Sequence, residues 1–173
     1  TAARDAAITA PTEGLFSYQS DTNQMTSYSG SAWSTVGPIS GALTTYTPTL
    51  TQSATISKTV NAATYQRVGR MVRGTVMMTA SSSGTATNAI IVGLPVTGLN
   101  TAGVIGSGAW FDQSVGVQPA ILYQVSTTTA VLIDATAVAA AVWLGQTGTS
   151  NANAVVTTDT ITYQFCYEAA ADA

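Results

Sequence analysis

Apolar and polar residues alternate with a period of two along most of this chain. The run 160–167, TITYQFCY, is the longest clear case, and such alternation predicts a strand with one buried face. A second signal lies at YQRVGRMVRGTVMM, residues 65–78. Strand-like runs over 63–68 and 71–78 flank Gly69-Arg70. Glycine at the first central position of a two-residue loop suits a type II′ turn, so this stretch predicts a β-hairpin.

The same pattern places further strands at 46–51, 54–60, 63–68, 71–80, 87–94, 103–108, 120–126, 129–135, 140–145 and 159–168. Turn residues punctuate them, as at Ser81-Ser-Ser-Gly84 and Pro95. Residues 135–144, ATAVAAAVWL, suit a short helix by their alanines. Strand is preferred there because Thr136, Val138 and Val142 interrupt them. Short strands at this spacing predict an all-β fold: an antiparallel β-sandwich, jelly-roll-like, over residues 46–173.

Ahead of it the pattern is different. Residues 1–13 read as an extended lead-in stopped at Pro11. Residues 14–19, 24–28 and 32–36 form a small β-meander, with turns at Ser20-Asp-Thr-Asn23 and Ser29-Gly-Ser31. Residues 37–45 read as a linker. Three strands this short are marginal alone. The meander is therefore expected to pack on a neighbour or a second chain, through Leu15, Phe16 and Trp33.

Composition narrows the chemistry. Charged residues make up 8% of the 173, against about 25% in ordinary soluble domains. Thr (30), Ala (28) and Ser (16) take their place, so hydroxyls rather than charges keep the surface wet. The net charge is −3, and no basic patch exceeds three arginines, which argues against nucleic-acid binding. No apolar run reaches membrane-spanning length. There is no histidine, the commonest general base and metal ligand. Cys166 cannot close a disulfide within the chain and is expected as a buried or half-buried strand thiol.

The candidate sites are few. Arg67, Arg70 and Arg73 are three of five basic residues. Arg67 and Arg73 suit inter-subunit ion pairs with Glu13, Asp112 or Asp134, or contact with an anionic glycan. The plainer reading, a solvated hairpin edge with arginine stems covering apolar surface, is preferred, since exposed ion pairs are worth little. Trp110-Phe111, in a Gly/Ser-rich stretch, suits a receptor or interface contact, or a core residue beside a capping one. Trp33 and Trp143 read as packing residues. Asp21 and Asn23 offer too few carboxylates for calcium and read as an Asx-type turn. Asp112, Asp134 and Asp159 lie on separate segments, and no motif pairs them for glycoside cleavage. No catalytic residue, metal or cofactor is expected.

Two stretches resemble bacteriophage tail-fibre and minor tail proteins. The first is RDAAITAPTEGLFSYQSDTNQMTSYSGSAW, residues 4–33, similar to a short module that recurs in phage virion proteins. The second is YTPTL at 46–50 with A-x-Y-x-R-V-G-x-x-V at 63–72, similar to the opening of fibre-end β-sandwich domains. The resemblance covers about a third of the chain and carries no catalytic motif. It implies a non-enzymatic virion surface protein: a tail-fibre, tail-tip or capsid-fibre component. Such proteins are usually homotrimers that join other virion proteins, either as pure scaffolding or in contact with a host surface glycan. A carbohydrate-binding β-sandwich module of a secreted protein is the alternative.

Overall fold

A computed structural model describes residues 10–19, 24–36, 43–99, 102–136, 143–145 and 153–170. The chain divides into two compact units, Thr1–Ala42 and Leu43–Ala173. Among the described residues there is no helix, and the sheets are antiparallel, as the alternation predicts.

The first unit is a three-stranded sheet in the order β1 (Phe16–Gln19), β2 (Gln24–Tyr28), β3 (Trp33–Thr35). The β2–β3 turn closes through Ser29, whose backbone N–H donates to the Ala32 carbonyl at 2.9 Å. Its hydroxyl donates to the same carbonyl and accepts from the Ala32 N–H. Gly30 takes a φ of +90° in that turn, which L side chains resist. The Trp33 and Tyr28 rings pack at 5.4 Å. The lead-in up to residue 9 and the turn at 20–23, with Asp21 and Asn23, lie outside the described residues.

The second unit is one curled ten-stranded sheet. In chain order its strands are β4 (Thr44–Thr45), β5 (Leu50–Gln52), β6 (Ala54–Thr55), β7 (Lys58–Val68), β8 (Met71–Ala80) and β9 (Ile91–Gly93), then β10 (Gly103–Asp112), β11 (Gly116–Gln124), β12 (Thr129–Asp134) and β13 (Thr160–Glu168). Across the sheet the order is β4-β7-β8-β13-β10-β11-β12-β9-β5-β6. Leu50 and Val92, from one end, share a single core with Val72 and Val76, from the other. The curl thus gives one sheet the two facing layers of a sandwich.

Strand β13 is fourth in the order, between β8 and β10. Its Ile161, Tyr163, Phe165 and Tyr167 face the core. Phe165 lies 6.2 Å from Tyr163 and 5.8 Å from Tyr167, and Tyr46 meets it edge-on at 6.3 Å. The neighbouring strands make room for these rings with glycine. A Cβ at Gly74 would overlap the Phe165 ring and the Thr64 carbonyl, and one at Gly106 the Gln164 carbonyl. The hairpin at Gly69-Arg70 closes with Val68 opposite Met71. Gly69 has a φ of +58° and Arg70 does not take positive φ, the pattern a type II′ turn requires.

Several boundaries differ from the expected ones. Strand β7 is continuous where two strands were expected, because a bulge between Val60 and Ala62 absorbs the extra residue. The expected strand over 46–51 is replaced by β4 and β5. Residues 46–49 between them are not strand, and Pro48 lacks a donor for a ladder. Residues 43–45, expected as linker, belong to the large unit, where β4 pairs with β7. The rest of the linker, 37–42, lies outside the described residues. Strand β10 runs to Asp112 rather than stopping at residue 108. The helix-or-strand stretch 135–144 is mostly outside the described residues. At its end Trp143 bridges Ile133, and the Leu144 N–H donates to the Leu132 carbonyl at 2.8 Å.

Candidate binding face

Trp110 and Phe111 are neighbours on β10, so the pleat sends them to opposite faces. Trp110 is fully enclosed, and its indole Nε1–H donates to Asp159 Oδ2 at 3.0 Å. A residue so placed cannot touch a receptor, and the expectation of a Trp110 contact is corrected accordingly: it is a core residue. Phe111 stays partly exposed opposite Val117, itself exposed. Of the pair, Phe111 alone remains a contact candidate.

The three carboxylates on separate segments each serve structure. Asp159 Oδ1 accepts from the Gln113 N–H and Oδ2 from the Val156 N–H, each at 3.0 Å, alongside the Trp110 indole. Asp112 caps the β10–β11 turn: its Oδ1 accepts from Ser114 N at 2.7 Å, Ser114 Oγ at 2.5 Å and Val115 N at 3.3 Å. The Asn153 amide reaches its other oxygen at 3.2 Å. Burial pushes the Asp112 carboxyl up, but these donors together outweigh burial and hold it below the usual carboxylate range. Asp134 accepts from the Thr136 N–H and hydroxyl at 2.8 and 2.6 Å. Among the described residues no three His, Cys, Asp or Glu side chains gather as a metal site would need.

The arginines separate. Arg67 Nε donates to the Gly69 carbonyl at 2.9 Å, across its own hairpin turn. Arg70 pairs with Glu168 at 3.2 Å, with both side chains about half exposed, and such a pair is worth little. Arg73 is different. It stands on the outward face of β8, and both Nε (2.9 Å) and Nη2 (2.6 Å) donate to the single Oε1 of Gln66 across the hairpin. Within the chain, Asp112 and Asp134 accept from their own turns, and Asp112 also from Asn153.

Arg73 borders an open groove of about 460 Å³ on the outer face of β7, β8, β13 and β10. Across these strands Thr64, Thr75, Gln164 and Ser107 lie side by side in register. Cys166, opposite Arg73, also lines it. The thiol is exposed, which corrects the expected burial. In the alternation the larger Phe165 and Tyr167 take the core positions and turn Cys166 outward. Gln66, Gln164 and Ser107 carried no signal in the sequence, since only cross-strand register brings them together.

In the small unit, Leu15 and Phe16 are exposed and Trp33 is half-buried against Tyr28. Among its described residues only Thr26 is buried. No family model, no curated protein and no solved structure matches the chain.

Proposed function

We propose that this chain is a non-enzymatic structural component of a bacteriophage virion: a tail-fibre, tail-tip or capsid-fibre subunit that assembles as a homotrimer. The exposure of the small unit carries this reading. Phe16 is 60% exposed, Tyr18 58% and Leu15 38%. A three-stranded sheet that buries so little cannot stabilise itself. Association would supply the missing burial, and it adds to folding free energy by mass action. These residues fall inside the stretch that resembles the recurrent virion module. Closed cyclic symmetry is the usual arrangement for such self-association.

The large unit would then be the knob of the fibre, displayed on the virion surface. Its surface is rich in threonine and serine and poor in charge, which suits a face that meets other subunits or a host glycan. The secreted-module alternative needs an exposed planar aromatic on the sandwich, and the enclosure of Trp110 removes its leading candidate.

Light scattering at low concentration tests the proposal. A mass three times the 17.6 kDa chain, with labelling of intact phage particles by an antibody to the chain, is the expected result. A stable monomer that labels no particle would overturn it.

A further inference from the structure

We infer that the groove beside Arg73 is a binding site for a carboxylated saccharide, one whose acidic sugar places its carboxylate on the Arg73 guanidinium. The inference rests on the reading of the chain as a surface component that meets a host glycan, and it names the chemistry of that contact.

Three features converge. The first is an arginine that no carboxylate neutralises among the described residues. Among the described residues its hydrogen bonds go only to Gln66, a neutral amide that is itself buried. Gln66 therefore fixes the plane of the guanidinium without consuming its charge. It occupies Nε and Nη2 and leaves Nη1–H free. A planar, oriented guanidinium is suited to a carboxylate in a way that a lysine is not. Glu168, at the end of β13, pairs instead with Arg70.

The second feature is the polar row beside it. Thr64, Thr75, Gln164 and Ser107 lie one per strand across four adjacent strands. At about 4.8 Å between strands, hydroxyl and amide groups repeat at a spacing that ring hydroxyls of successive sugars can meet. The Gln164 amide reaches the Ser107 hydroxyl only at 3.5 Å, so both keep capacity for a ligand.

The third feature is shape. The groove volume of about 460 Å³ falls within the range of about 300–1,000 Å³ common for small-ligand sites. Leu43 lines one end and supplies an apolar surface for the C–H face of a sugar ring.

The test uses the full chain, with trigalacturonate and sialyllactose as acidic probes and the methyl ester of trigalacturonate as the neutral control, by titration calorimetry. At least one acidic probe should bind and the ester should not. Arg73→Gln should weaken binding by about tenfold or more, the loss expected for one charge-assisted contact. Gln66→Glu should do the same, by placing a carboxylate on the guanidinium. R73Q keeps an amide N–H to offer the buried Gln66 Oε1, so it should retain a cooperative thermal transition, which separates lost binding from lost fold. Equal binding by R73Q, or no binding of either acidic probe by the wild type, overturns the inference. If binding fails while the trimer forms and particles are labelled, the virion reading stands alone. If binding holds for a monomer that labels no particle, that reading falls and the site remains.

Discussion

The indole N–H of Trp110 donates to Asp159 Oδ2 at 3.0 Å inside the core, joining β10 to the start of β13. The carboxylate has no cation beside it among the described residues. It is held by three N–H donors from Trp110, Gln113 and Val156. Asp159→Asn keeps the shape but turns an amide N–H toward one of those donors. It should destabilise the protein by about 2 kcal/mol, and Asp159→Ala by about 3 kcal/mol or more. Urea unfolding measures both. The double variant with Trp110→Phe should lose less than the sum, because the two residues share one interaction.

Glycine at position 106 is required by what lies opposite. A methyl group there would overlap the Gln164 carbonyl of the neighbouring strand. Gly106→Ala should therefore force the β10–β13 ladder apart locally. The expected cost is about 1–3 kcal/mol, read as a lower thermal midpoint. Gly103→Ala meets no crowding, since nothing lies within 4 Å of the added carbon, but its φ of +154° is unfavourable for alanine. It should cost less than G106A, and equal losses would argue against crowding as the cause.

Alkaline pH should unfold the protein from a defined group of tyrosines. Burial pushes the Tyr46 and Tyr163 phenols far above their ordinary 10.0, and Tyr167 up to about 12. The unfolded chain loses these protons first, from about pH 10 upward. Above that pH the unfolded state binds fewer protons than the native one, so stability falls as pH rises. The decline should begin near pH 10 and, for Tyr167, continue to about 12. Phenolate absorbance and circular dichroism should change together. Neither the Tyr46 nor the Tyr163 hydroxyl finds a partner at ordinary hydrogen-bond geometry. Tyr163→Phe should thus hold or raise stability at neutral pH, by up to about 1 kcal/mol, and soften the alkaline decline.

Gln52 fastens the open end of the curl. Its amide donates to the carbonyls of Asn88 at 3.0 Å and Asn153 at 2.9 Å, and its Oε1 accepts from the Val155 N–H at 2.9 Å. Gln52→Leu preserves bulk but strands a buried N–H and two carbonyls. A loss of about 2–4 kcal/mol is expected, with faster hydrogen exchange at Val155 than at Tyr163.

The self-association proposed here has its own signature. Leu15→Ser with Phe16→Ser, in the full chain, should reduce the mass in solution from trimer toward monomer. The main thermal transition of the large unit should change little beyond what lost association contributes. An unchanged mass would remove the small unit from the subunit contact.

The alternation in the chain was enough to establish an antiparallel all-β protein with a three-stranded unit ahead of a larger one. It also placed β2 and β8 to the residue and the turn at Gly69-Arg70. These features depend on neighbours in sequence: pleat period, turn residues and positive φ. The bulge in β7, the reach of β10 to Asp112 and the outward turn of Cys166 do not. Each is decided by which strand lies alongside and by which of two candidate faces the larger side chains occupy. Trp110 shows the limit most sharply. Its sequence surroundings of glycine and serine suit a loop, yet Asp159, 49 residues away, supplies the buried acceptor that makes the core its place. The groove at Arg73 exists for the same reason. Register across β7, β8, β13 and β10 assembles it from residues that share no motif, and only the fold brings their side chains within reach of one another.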